Sequence, residues 1–236
     1  GHLRRRGIRI LVERLLELGA CRGQVAFAHV RERELRVDER GLLTLLLREL
    51  DVLGGVHGDT SCTFLVGDVD AASADLVERT RAAMHAGISV VAAPARIYEI
   101  GRAIEASVAP YGYGVVREFI GHGIGEQFHT SLQIPHYYDP RNDAVLLEGM
   151  TFTVEPMINV GSNRLDMWDD GWTVSTRDLQ RSAQFEHTVL VTQDGFELLT
   201  VPRRGEPADV RFAGVRLGAS GTAATAGVAD TAGVAD

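Results

Sequence analysis

The sequence predicts an α+β fold with mainly antiparallel strands, and three observations carry the prediction. Short β-prone runs at residues 51–56 and 59–66 come with a Gly54-Gly55 turn signal. Two helical stretches follow, with capping residues ahead and proline behind. Further β-prone runs then recur around 115–119, 151–158, 173–175, 184–192 and 197–201.

Taken in order, residues 1–50 alternate charged and leucine-rich patches, as at 11–18 and 42–50, with helical rather than strand character and no recognisable chemistry. The glycine-punctuated segment from Asp51 reads as a hairpin. Asp70 or Ser73 can cap a helix running towards Val91, which Pro94 ends. Ile97, Ile100, Ile104 and Val108 recur at helical spacing in a second helix, closed by Pro110 and Gly112. After Pro202 the composition drifts to Gly, Ala, Thr and Arg, and TAGVAD occurs at 225–230 and again at 231–236. Too few large apolar groups remain there to offset the entropy of ordering, so residues 206–236 are expected to be a disordered tail.

The 236 residues, 45% of them hydrophobic, suffice for a packed core. A net charge of -8, with basic residues scattered apart from Arg4 to Arg6, argues against phosphate-driven nucleic-acid binding. The two cysteines, Cys21 and Cys62, have no metal-ligand spacing, which argues against a disulfide framework or a thiolate zinc site. No apolar run reaches membrane-spanning length, and Glu13, Arg14 and Glu17 interrupt the one candidate signal core. The expectation is a soluble, cytoplasmic protein.

Two strands carry a carboxylate where something apolar is normally buried. Alternation places Thr151, Thr153 and Glu155 on one face against Phe152, Val154 and Ile158 on the other; in the later strand Gln184, Glu186 and Thr188 oppose Phe185, Val189 and Val191. A single glutamate in a strand ordinarily faces solvent, and His122 alone reads as a structural histidine. A buried carboxylate, however, must be protonated, paired or bound to a cation. With Asp59 in the hairpin and His122 in GHGIG, the set forms a hard, oxygen-rich site suited to divalent ions. Two ions are inferred, since several carboxylates around one ion leave excess negative charge. GHGIG lacks the GxGxxG spacing of a dinucleotide loop. His57 receives no role, His187 is read as structural, and Met150, Met157 and Trp168 as packing residues.

Together the segments GGVHGDTSCTFLVGD (54–68), GHGIGEQFH (121–129), GMTFTVEPMI (149–158), DGWTVSTRD (170–178) and SAQFEHTVLVT (182–192) resemble the type I methionine aminopeptidases, in that family's order and spacing. The resemblance implies the pita-bread fold of creatinase and the aminopeptidases, two related α/β halves around a dimetal centre. It implies metal ligands at Asp51, Asp59, His122, Glu155 and Glu186, with Co, Mn, Fe or Zn as the ions. Glu155 would also handle the proton of the attacking water, and His129 would contact the scissile peptide. Phe128 and Trp172 match positions near the methionine pocket. The implied activity is removal of the first methionine from nascent polypeptides, by a monomer in the cytoplasm that could meet its substrates at the ribosome, with no nucleic-acid or membrane partner.

The chain departs from that pattern before Asp59. The family's first metal aspartate lies eleven residues ahead of the second, where this chain has Arg48; the acceptable match is Asp51, eight residues ahead. A three-residue turn would close that offset and leave Asp51 opposite Asp59. The family's CHGIPD-like and TSVNE motifs are missing, so the N-terminal lobe is incomplete or altered. HVRERE (29–34) can be encoded CAC GTC CGT GAA CGA GAG, which one base later reads TSVNE. The organisation expected is therefore a divergent or frame-shifted segment at 1–50, a metallopeptidase core at 51–205 and a low-complexity tail. Two other readings compete: a proline-specific dipeptidase of the same fold, which DGWT and SAQFEHT disfavour, and a catalytically impaired pita-bread protein serving as a binding module.

Overall fold

A computed structural model describes residues 35–37, 43–53, 55–66, 69–201, 216–217 and 223–224. In chain order these form β1 (Leu35–Val37), β2 (Leu43–Leu53), β3 (Val56–Val66), α1 (Ala71–Ser89), β4 (Ala95–Arg96), α2 (Tyr98–Val108), a 3-10 turn (Ala109–Tyr111) and β5 (Gly114–Val115). Then come β6 (Gly121–His122), β7 (Gln133–Ile134), β8 (Val145–Leu146), β9 (Thr151–Val154), β10 (Met157–Asn159), β11 (Leu165–Met167) and β12 (Val174–Thr176). The last are β13 (Ser182–Gln184), β14 (His187–Thr192), β15 (Gly195–Leu198), β16 (Arg216–Leu217) and β17 (Ala223–Ala224).

Both helices form where the caps and periodicity place them. The Asp70 carboxylate accepts the Ser73 N–H at 2.9 Å, satisfying one of the donors that a helix start leaves over. On α1 the buried stripe includes Leu76, Ala83, Met84 and Ile88, and on α2 it runs through Ile100, Ile104 and Val108, with Ile97 just ahead. Gly87 is what lets the helices approach: a Cβ there would lie 2.7 Å from Ile104 Cδ1. Gly112, at φ +67°, ends the 3-10 turn that follows α2 in the left-handed conformation.

Two small antiparallel sheets are ordered β15-β14-β9 and β13-β10-β5. Phe152, Val154 and Val189 in the first, and Ile158 in the second, are fully buried, and α1 packs across β9, β10 and β13. The run expected over 151–158 is thus two strands in two sheets. It breaks at Glu155-Pro156, where proline has no N–H to donate to a ladder. The run expected over 184–192 breaks likewise, at Phe185-Glu186. The strand expected at 115–119 shortens to Gly114–Val115.

The leucine-rich stretch read as helical is a strand. Each residue of Leu43–Leu53 pairs with β3, from Leu43↔Val66 to Leu53↔Val56, so the hairpin begins well before Asp51. Cross-strand pairing outweighs the helix preference of leucine, a weak bias that tertiary context overrides. The expectations for residues 1–34 and for most of the 206–236 tail, including both TAGVAD repeats, fall outside the described residues. Within the tail β16 and β17 are described, β16 lying parallel to the end of β3. Trp168 is not a packing residue: it is 58% exposed, its Nε1 donating to Ser175 Oγ at 3.2 Å. No helix among the described residues is long and apolar enough to cross a membrane.

Candidate metal centre

Four of the predicted ligands converge from four places in the chain. Asp59 lies in β3, His122 ends β6, Glu155 follows β9, and Glu186 sits between β13 and β14. All four are buried, with Asp59 at 0% and Glu186 at 1% exposure. One ligand atom from each of Asp59, His122 and Glu186 lies within 4.8 Å of the others. His122 Nε2 stands 3.9 Å from Asp59 Oδ2 and 3.6 Å from Glu155 Oε1, which draws Glu155 into the group.

Backbone and hydroxyl contacts hold these side chains in place. The His122 N–H donates to Thr153 Oγ1 at 3.0 Å, and that hydroxyl donates onward to Glu155 Oε1 at 2.8 Å. Gln184 Nε2 reaches the other oxygen, Glu155 Oε2, at 3.3 Å. Glu186 is fixed through its backbone: its N–H donates to Ser61 O, and its carbonyl accepts from Ser61 N–H and from Thr60 Oγ1. Asp59 is fixed by Thr188, whose hydroxyl accepts the Asp59 N–H and donates to the Asp59 carbonyl. Gly121 lets β6 lie against β9, because a Cβ there would collide with Thr153 O.

The donor set fits a divalent cation. Ligands each about 2.0–2.2 Å from one ion lie within roughly 4.4 Å of each other, and both His122–carboxylate distances fall inside that span. Three carboxylates and one imidazole are hard, oxygen-rich donors of the kind that take Mn, Fe or Co. With His122 Nδ1 donating to Gly123 O at 3.2 Å, Nε2 is the nitrogen directed at the carboxylates. A backbone carbonyl on the far ring nitrogen is how metal-binding histidines have their tautomer fixed.

Asp51 is where the sequence expectation fails. It was to stand opposite Asp59, but the register sets Leu50 opposite Asp59 and Asp51 opposite Gly58. The reason is the turn. Gly54-Gly55 closes the hairpin in two residues, with Gly55 at φ +87°, and a two-residue turn pairs only residues an odd number apart. An eight-residue offset is even, so Asp51 cannot pair with Asp59 across that turn.

His129 and Phe128 are brought to the centre. The His122 and His129 rings are 4.0 Å apart between centroids, Phe128 lies 5.4 Å from His122 and 4.3 Å from His129, and His129 is exposed. Trp172 lies between β11 and β12 and is 67% exposed. His187 is structural as expected, buried with Nδ1 2.8 Å from Thr200 Oγ1. His57 ties β3 to the Gly121–His129 loop, its backbone N–H and Nδ1 both meeting Gly125 O.

Sequence reasoning missed His136. It is fully buried, burial pushes its pKa down to about 3, and its Nε2 accepts the Glu155 N–H at 3.0 Å. No motif or periodicity in IPHYY marks it, since the contact is made only by folding.

The chain is similar to known metallopeptidases in sequence and in fold. Residues 31–193 match the model of metallopeptidase family M24. The chain is 54% identical over 149 residues to methionine aminopeptidase B of Synechocystis sp., covering 63% of this chain and 54% of that protein. It is 51% identical over 148 residues to methionine aminopeptidase 2 of Mycobacterium tuberculosis, covering 63% of this chain and 52% of that one. The chain therefore spans about half the length of the curated relatives it matches. Among solved structures it is similar to methionine aminopeptidase from Rickettsia prowazekii, with a TM-score of 0.65 at 44% identity, over 67% of this chain and 64% of that one.

Proposed function

This chain belongs to metallopeptidase family M24 and has the pita-bread fold, and from that premise we propose that it is a methionine aminopeptidase, releasing the first methionine of nascent polypeptides. The observation that carries the reading is the buried convergence of Asp59, His122, Glu155 and Glu186. Three carboxylates so deeply buried are costly unless a cation balances them.

When bound, a divalent ion supplies activation of water and polarisation of the scissile carbonyl. Glu155, its carboxylate held by Thr153 and Gln184, takes the proton of the attacking water and passes it to the departing amine. His129 stands exposed beside His122 and donates to the oxygen on which negative charge develops. Phe128, half-buried between His129 and His57, offers an apolar wall for the methionine side chain.

The two-ion centre implied by the resemblance needs a fifth ligand at Asp51. The register pairs Asp51 with Gly58 rather than with Asp59, and on this reading the four gathered residues hold one ion. Hydrolysis of a Met-Ala-Ser peptide tests the function. Free methionine should appear with Mn, Co or Fe present and stop on chelation. Metal uptake with no methionine released would instead favour the binding-module reading.

A further inference from the structure

Glu155 occupies an awkward place in the chain. On one side β9 pairs with β14 as far as Val154↔His187; on the other β10 pairs with β13 from Met157↔Gln184. The two residues between, Glu155 and Pro156, belong to neither ladder, and proline brings no N–H of its own. The Glu155 N–H is thus a buried donor outside any ladder, of the kind that costs free energy when left over.

His136 takes up that donor. Its Nε2 lies 3.0 Å from Glu155 N, and the whole residue has 0% exposure. To accept at Nε2, the neutral ring must carry its proton on Nδ1, an atom that is buried and has no hydrogen-bond partner among the described residues. A ring placed for packing alone would gain nothing from this arrangement, whereas a ring placed to grip one N–H requires it. From the opposite side Gln184 Nε2 approaches the Glu155 carbonyl at 3.4 Å and its carboxylate at 3.3 Å. The Glu155 peptide is therefore held at both ends while its side chain enters the metal cluster.

We propose that His136 is a positioning residue for the hydrolytic reaction: by accepting the Glu155 N–H at the break between β9 and β10, it sets the direction in which the Glu155 carboxylate enters the site. The inference rests on the metallopeptidase reading. It assigns His136 no contact with substrate or metal, and it requires an acceptor at the Nε2 position rather than an imidazole as such.

Two substitutions separate that role from packing. His136→Gln keeps a carbonyl oxygen at about the reach of Nε2, and His136→Leu fills the space without an acceptor. Mn affinity by calorimetric titration, kcat and KM on Met-Ala-Ser, and thermal unfolding are measured on all three proteins. Removing such an outer contact should weaken Mn binding and lower kcat by about 10-fold to 100-fold in the Leu variant, with KM little changed, and the Gln variant should stay within about threefold of the parent. Folded Leu and Gln variants that both match the parent overturn the proposal, as do folded variants that both lose equally. If the Leu variant does not fold, the Gln variant decides alone: folded with parental Mn affinity it supports the role, and weakened or unfolded it refutes it. A parent that neither binds Mn nor releases methionine would overturn the underlying reading instead.

Discussion

Three of the clustered ligands stand where strands stop, and the fourth stands in the middle of one. His122 ends β6, Glu155 follows β9 and Glu186 precedes β14, whereas Asp59 lies within the eleven residues of β3. At the strand ends each backbone is gripped individually, by Thr153, His136, Ser61 or Thr60. Such positions tolerate changes of register elsewhere. Around Asp59 the opposite holds, because the face of every residue on the partner strand follows from the length of one turn. An odd change in length before the turn therefore changes which residue pairs with Asp59 while leaving Asp59 in place.

The largest effect should come from the strand-end wall. Glu155→Gln keeps the shape of the side chain but cannot take a proton, so kcat on Met-Ala-Ser should fall by about 100-fold to 10,000-fold. A loss of less than about tenfold would remove Glu155 from proton transfer.

The hairpin wall offers a gain rather than a loss. Leu50→Asp places a carboxylate at the register position opposite Asp59. Metal content by elemental analysis should rise from about one ion per chain to about two, since a two-ion centre needs the added ligand. Unchanged content would mean that register is not what limits the hairpin side.

The smallest effect lies behind both walls. Asp70 caps α1 and meets Arg181 at 2.8 Å, just ahead of β13. Asp70→Ala should cost about 1 kcal/mol of stability in chemical denaturation, with Mn affinity unchanged. The Ser73 N–H, then the Ser73 hydroxyl and Arg181, hold the Asp70 carboxyl below its usual range. The stabilisation is therefore complete above the ordinary carboxylate range and is lost as pH falls through the depressed value. The acid limb of the unfolding curve should flatten slightly in the variant.

What could be read from the sequence divides along the same line. Strand alternation put Thr153 with Glu155, and Gln184 with Thr188 and Glu186, and all of these reach the cluster or its supports. The resemblance supplied His129 and Phe128, which the fold sets beside His122. The leucines of β2 were misread because a short apolar run has no period of its own to separate strand from helix. The expected pairing of Asp51 with Asp59 differs for a narrower reason, a turn of two residues rather than three. His136 was invisible because its role exists only where two distant segments meet.

Titration of chelator-treated protein with Mn, for the parent and for an Asp59→Asn, Glu186→Gln pair of substitutions, tests the central claim most directly. The parent should take up the ion tightly, and the doubly substituted protein, still folded by circular dichroism, should not. Equal uptake by both would mean that the buried acids between β3 and β14 are not what holds the metal.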